Sequence, residues 1–206
     1  IGENFFRFES APYGSGYLLS LDVTLRKKCR LKADFEWVSI EGDFLPDKKI
    51  EQPEIHNWNL VCPRSDVSGR ITVNDRNGKS QDTIHFRGTG YHDHNLDNRW
   101  LPETVKDWHW GRAHFLDSTA VFYRYNEIGQ KPLDKIFVIK NGALRARDVT
   151  CEEQNFSRDK FGIKYPQRLT FASEDNLRLR VKQTQIIDSC FFYLRFLGEM
   201  TFTLRG

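Results

Sequence analysis

"GTGYHDHNLDNRWLPETVKDWHWGRAHF", residues 88–115, holds four of the chain's six histidines and three of its five tryptophans. A solvated loop does not spend tryptophans in this way, and a plain core strand does not spend histidines and an aspartate. Period-two alternation reconciles the two halves of that conflict. With residues 90–95 extended, Tyr91, Asp93 and Asn95 share one face, and His92 and His94 share the other. Further on, Trp108, Trp110, Arg112 and His114 align on one strand face. Between them, "LPETVKDW" is the one candidate for a short helical turn, with Pro102 near its start. The stretch reads as strand, brief turn, strand, with titratable groups set among aromatics.

The same alternation continues in both directions. Tyr17, Leu19, Leu21, Val23 and Leu25 fall on one face of "GYLLSLDVTL", and Leu31, Ala33, Phe35, Trp37 and Ser39 on one face of "LKADFEWVSIEG". In "HNWNL", His56 and Trp58 share a face. "GRITVND" and "DTIHFRG" flank Asn77-Gly78, the strongest hairpin signal in the chain, and Lys140-Asn141-Gly142 marks another tight turn. Val121, Tyr123 and Tyr125 align in "STAVFYRYNE". "DKIFVIKNGAL", "QRLTFAS", "NLRLRVKQTQIID" and "CFFYLRFLGEMTFTLRG" extend the pattern. These runs predict about ten strands. The expected class is all-β: a lipocalin-like, calycin-type antiparallel β-barrel with at most one or two short helices. There is no internal repeat or composition break, and residues 46–53 read as a polar loop. A single barrel domain over residues 1–206 is therefore expected. The chain begins at Ile1 without a methionine and is read as the motif-bearing part of a longer protein.

Charge excludes some partners. Thirty-one Lys and Arg against 28 Asp and Glu leave a net charge of +3, with the two signs interspersed. Even Arg26-Lys27-Lys28 sits near Asp22, Asp34 and Glu36, which marks a solvated face and no nucleic-acid surface. Cys29, Cys62, Cys151 and Cys190 form no CxxC pair, so reduced thiols in a cytoplasmic protein are expected. No apolar run reaches the ~18 residues of a membrane span.

Three chemistries compete for the opening stretch. A metal site would use the His92/His94 pair with His109, His114, Asp93 or Asp97, but the next glutamate, Glu103, stands too far along for a cupin-like ligand set. No metal and no cofactor are expected. Nucleophilic catalysis lacks a G-x-S-x-G or Cys-His signature, and Cys62, followed by Pro63, reads as packing. The third is a general acid among aromatics, with Asp93 facing Trp58, Trp110 or Tyr123. A carboxyl in apolar surroundings can stay protonated near neutrality. Indole and phenol faces can then stabilise a carbocation. The competing reading of Asp93 as a turn cap, or as the partner of Arg87, Arg99 or Arg112, stays open on these grounds.

"HNW" (56–58), "PRSDVSGRI" (63–71), "FRGTGYHDHN" (86–95) and "WHWGRAH" (108–114) together resemble the carotenoid 1,2-hydratase family, also called hydroxyneurosporene synthases, in the AttH-like lipocalin superfamily. The resemblance is strongest over residues 54–125. It implies a barrel whose lumen takes a hydrophobic isoprenoid or polyene, and cofactor-independent hydration of a carbon–carbon double bond. The family's acid site maps onto His56, Trp58, Tyr91 and Asp93, the set that alternation had placed together. Asp93 would be the acid, Tyr91 its hydrogen-bonding partner, Trp58 a cation stabiliser and His56 the group that positions water or takes the final proton. Trp108, Trp110, Tyr123, Asn95, Arg112 and His114 would contact substrate, with Arg112 also bracing the fold against Asp93 or Asp107. Related barrels suggest terpenoid cyclisation or a Diels–Alder closure as alternative reactions, and a non-catalytic lipid carrier as the alternative class. The expected setting is cytoplasmic, with peripheral membrane association for access to substrate. One departure stands out: family members commonly carry Trp-Gly after His-Asp-His-Asn, where this chain has Leu96-Asp97.

Overall fold

The computed structural model describes residues 4–11, 14–25, 29–39, 56–75, 77 and 80–204. The basic triplet 26–28, Gly78 and the loop 46–53 lie outside the described residues. The fold is all-β and antiparallel, as the alternation predicts. Five strands pair in sequence order: β1 (Phe5–Ala11), β2 (Gly14–Thr24), β3 (Arg30–Ser39), β4 (Asn57–Asn74) and β5 (Ser80–Leu96). A four-residue helix, α1 (Leu101–Thr104), leads into a second sheet of β6 (Val105–His114), β7 (Thr119–Glu127), β8 (Leu133–Lys140) and β9 (Ala143–Asp148). The third sheet is β10 (Thr150–Arg158), β11 (Lys164–Ala172), β12 (Leu177–Cys190) and β13 (Tyr193–Leu204). The chain divides into two compact units, Ile1–Asn98 with Lys140–Ala143, and Arg99–Ile139 with Leu144–Gly206.

In the first unit, sheet register turns sequence alternation into rows. Leu19 faces Phe35, Phe35 faces Gly69, and Gly69 faces Phe86. The alternate row runs Ser20, Asp34, Arg70 and His85, and it is polar. There Ser20 Oγ donates to Asp34 at 2.9 Å, and Arg70 pairs with the same carboxylate at 3.2 Å. Gly69 is required by close approach, since a Cβ there would lie 2.6 Å from the Phe35 ring. Tyr17, Val61 and Cys62 form the unit's buried cluster, with Trp37 packed against it. Phe6 stacks on Tyr17 with ring centroids 4.8 Å apart. Pro63 cannot donate to the ladder, and the β4–β5 register shifts on both sides of Cys62.

The second unit has its own core. Phe122 and Ile136 from β7 and β8 pack with Leu169 and Phe171 of β11 and with Leu177, Leu179 and Val181 of β12. Along β12 the buried residues alternate strictly with Arg178, Arg180 and Lys182. β7 is buried on both faces from Thr119 to Asn126.

The structure revises several local expectations. Helix α1 stops at Thr104, and Val105 to Trp108 already belong to β6. Val105 is β-branched, and its backbone is extended with φ −104° and ψ 125°. Strands β1, β9 and β10 add to the expected set. β10, "TCEEQNFSR", is largely exposed and polar, which hides its strand character from an apolar count. Phe191 and Phe192, read as part of a strand, form the turn between β12 and β13.

Candidate active site

Asp93 lies on β5 opposite Leu60 of β4, and Asn95 lies opposite Trp58. Register therefore sets Trp58 and Asp93 diagonally across one strand pair and on one face, within reach of a long side chain. The Trp58 indole Nε1 donates to Asp93 Oδ2 at 2.7 Å. Two residues back along β5, the Tyr91 hydroxyl donates to the same oxygen at 3.1 Å. Asp93 is half-buried. Its carboxylate thus takes two neutral donors on one oxygen, and the other oxygen is not engaged by either.

His56 immediately precedes β4, and Asp97 immediately follows β5. The antiparallel pairing brings these strand ends together, with His56 Nδ1 3.4 Å from Asp97 Oδ2 and both side chains nearly buried. Asp97 is the residue that departs from the family pattern, and here it is the carboxylate beside the candidate proton acceptor. The sequence marks Asp97 only as a candidate metal ligand and as part of the Leu96-Asp97 departure; its place beside His56 was not foreseen.

His92 and His94 occupy the opposite face, as alternation requires. On that face His92 is packed among aromatic rings. Its ring meets Phe6 and Tyr17 edge-on, with centroids 5.4 Å and 5.1 Å away. Burial pushes its imidazole below the ordinary 6.5; the Asp93 charge opposes this and His94 adds to it. The Asp93 strand is therefore held by aromatic packing on its far side.

The remaining candidates other than Asn95 belong to the second unit. Trp108 faces Tyr125, Trp110 faces Tyr123, Arg112 faces Val121 and His114 faces Thr119, so the row expected on β6 continues across β7. Tyr123 is buried and its ring lies parallel to Tyr125. His114 Nδ1 hydrogen-bonds Thr119 Oγ1 at 3.1 Å. Asn95 is exposed and sits across from Trp58 in the first unit. The anticipated Arg112–Asp107 pairing does not form: the register puts these two residues on opposite faces of β6. Asp107 instead accepts from Asn126 at 2.9 Å and lies 3.7 Å from Arg124.

Asp107 also belongs to a cluster that the sequence did not reveal. With His109 and Glu153 it forms a group whose ligand atoms lie within 4.8 Å of one another. The His109 ring hydrogen-bonds Glu153 at 2.9 Å, which leads in holding that carboxyl below its ordinary range against the cost of burial. Arg124 already supplies a cation here, 3.9 Å from Glu153 and bonded to Asp134 at 2.8 Å. The group reads as an ion-pair network closing one face of β6 and β7. Nearby, burial pushes the Cys151 thiol up to about 12, which disfavours the nucleophilic thiolate. All four cysteines are free.

A cavity of about 860 Å³ in the first unit is lined by Leu19, Phe35, Gly69 and Phe86 among others, but Asp93 is not part of its lining. Among the described residues, no helix is long and apolar enough to cross a membrane.

Comparison with known proteins bears on this arrangement. A curated relative, the hydroxyneurosporene dehydrogenase of Chlorobaculum tepidum, is 26% identical over 199 residues, which cover 92% of this chain and 52% of that protein. The chain thus spans about half the length of the curated relative it matches. The model of the carotenoid hydratase CrtC matches residues 40–203, a span that contains β4, β5 and the Trp58–Tyr91–Asp93 group. On that match, the chain belongs to the CrtC carotenoid hydratase family.

Proposed function

We propose that the chain carries the acid site of a carotenoid hydratase, with Asp93 as the proton donor. The observation that supports this most directly is the pair of neutral donors on Asp93 Oδ2, from Trp58 at 2.7 Å and Tyr91 at 3.1 Å. An oxygen that accepts two hydrogen bonds is a poor place for a proton. In the acid form the proton therefore sits on Oδ1, and that atom faces the substrate. It passes to one carbon of a terminal double bond, and the π pair becomes the new C–H bond. The cation left on the neighbouring carbon is stabilised by the Trp58 ring face. The Trp58 and Tyr91 donors hold the carboxylate that remains. Water then forms the C–O bond and releases its extra proton back to Asp93, either directly or by way of His56, beside which Asp97 lies at 3.4 Å. The sum is alkene plus water to alcohol, and its balance calls for no oxidant or reductant.

The substrate class, a hydrophobic carotenoid, follows from the family. Cyclisation, pericyclic closure and simple carriage have no comparable support in the family match. Asp93→Asn tests the reading. The variant keeps the shape and a hydrogen-bonding group but has no acidic proton. It should stay folded and bind carotenoid while its turnover falls on the order of 10²-fold or more, the scale of general acid catalysis. Turnover close to wild type in a folded Asp93→Asn protein would remove Asp93 from the mechanism.

A further inference from the structure

At one end of the third sheet, two hairpin tips lie side by side. The β12–β13 turn consists of Phe191 and Phe192, between the paired residues Cys190 and Tyr193. Two-residue hairpin loops are built from Asn, Asp and Gly, because the favoured turns need positive φ. The chain uses that chemistry elsewhere: Asn141 and Gly142, which join β8 to β9, have φ 53° and 74°. Phe191 and Phe192 do not adopt positive φ. Two phenylalanines thus occupy positions where local turn energetics give them no advantage. Packing gives them little either, since Phe191 is 82% and Phe192 77% exposed.

The neighbouring β10–β11 tip shares this character. Phe161 is exposed there, with its ring 5.0 Å from that of Phe191. Asp159 fixes the two tips together: it accepts from the Phe161 and Ile163 backbone N–H groups and from Ser189 Oγ on β12 at 2.5 Å. Behind the rings stand cations. Lys160 lies 5.0 Å over Phe161, and Lys164 lies 4.3 Å over exposed Phe156. Arg158 caps the β10–β11 turn through the Gly162 carbonyl. Two acids are present in the same region. Asp159 is committed to the turn, and Asp188 accepts from the Ser189 backbone N–H and stands opposite Arg195 in the strand register.

We infer that these paired tips are a docking surface for an anionic lipid bilayer, with Phe191, Phe192 and Phe161 entering the acyl boundary while Lys160 and Lys164 meet lipid phosphates. Exposed apolar patches of this kind on soluble proteins mark interaction surfaces. A lysine lying along an aromatic ring is suited to an interface, because its stem stays in the apolar layer while its ammonium reaches the headgroups. An anionic bilayer fits both the apolar tip and its basic border. The proposed carotenoid chemistry supplies a purpose, since such a substrate dissolves in membranes. The surface itself stands on the tip residues and not on the identity of the acid.

Vesicle flotation tests it, with phosphatidylcholine alone and with phosphatidylglycerol added. The wild-type chain should float with the anionic vesicles, and added salt should weaken this. Replacing both tip phenylalanines, Phe191→Ser with Phe192→Ser, should lower partitioning on the order of 10²-fold. Lys160→Glu with Lys164→Glu should remove the preference for anionic lipid. Phe192→Trp retains the ring, so it serves if the serine pair disturbs the turn, and its emission should shift to the blue on anionic vesicles. Wild type that fails to float, a serine pair that floats equally well, or a blue shift that follows protein concentration without lipid would each overturn the inference. The last of these would mean that a second copy covers the tip. The Asp93→Asn protein should float like wild type. The serine pair should keep its turnover on detergent-solubilised carotenoid, so failure here is distinguishable from failure of the acid site.

Discussion

Asp93 Oδ2 is met by two donors of unequal consequence. The Tyr91 hydroxyl is the longer bond at 3.1 Å, and Tyr91→Phe leaves the Trp58 bond at 2.7 Å in place. A neutral hydrogen bond contributes about 1 kcal/mol net, so Tyr91→Phe should slow turnover roughly 5-fold with little change in carotenoid affinity. A loss as large as that of Asp93→Asn, read in kcat, would show that Tyr91 is the acid. On the other side of the strand, His92 gives a pH prediction. Burial holds its imidazole below 6.5, so the unfolded chain binds the proton more tightly than the folded one. Its contribution to stability is therefore complete above 6.5 and is lost as pH falls through that value toward the folded pKa. Urea midpoints should fall with acidification over this window, and His92→Leu should flatten that dependence. The Trp58–Tyr91–Asp93 group was legible in the sequence because one strand pair and a period of two suffice to assemble it. Asp97 beside His56 was not, since that contact depends on where two strands end, and strand ends leave no periodic trace. The Asp107–His109–Glu153 group was hidden for a similar reason, because it joins β6 to β10, which are far apart in the chain.

At the scale of elements, alternation worked best where one face is buried and the other is wet. β3 alternates exposed with half-buried or buried residues along its length, and β12 alternates buried with exposed from Leu177 to Lys182; both were readable. β10 was not, because its residues are mostly exposed and the pattern carries no apolar contrast. It also contains an irregularity. Asn155 has φ 56°, and regular pairing with β11 lapses there, between Gln154 opposite Arg168 and Phe156 opposite Pro166. The left-handed conformation costs a residue with a Cβ roughly 1–2 kcal/mol, which asparagine tolerates better than most. Asn155→Val should therefore destabilise the chain by about 1–2 kcal/mol in denaturant titration, although valine is the better strand former. Asn155→Gly should be neutral or better. A neutral valine variant would mean that the strand straightens at this point. The turns divide in the same way: Asn141-Gly142 announced itself through its residue types, whereas Phe191-Phe192 looked like strand because its residues answer to something other than turn geometry.

Over the whole molecule, the aromatic residues make ligand binding observable. The five tryptophans are distributed unequally: Trp37 and Trp58 belong to the first unit, and Trp100, Trp108 and Trp110 to the second. Trp100 is 68% exposed, so it emits as a solvated indole and reports little on a buried ligand. Trp58 is bonded to the proposed acid, and a polyene whose terminal double bond reaches Asp93 must lie against it. Polyenes absorb where tryptophan emits. Saturable quenching by a carotenoid is therefore expected, with a residual emission that Trp100 accounts for and no response to sugars or nucleotides. Replacing the tryptophans singly by phenylalanine then locates the chain of the ligand. Trp58→Phe should remove a large part of the quenchable emission while leaving the affinity within a few-fold, since an aromatic face remains. Trp100→Phe should remove the residual emission and leave the quenchable part whole. Loss of quenching confined to Trp108→Phe and Trp110→Phe, with Trp58→Phe behaving like wild type, would mean that the polyene does not lie against Trp58, the donor to Asp93. Hydration would then have to start from a different acid, even with the family membership unchanged.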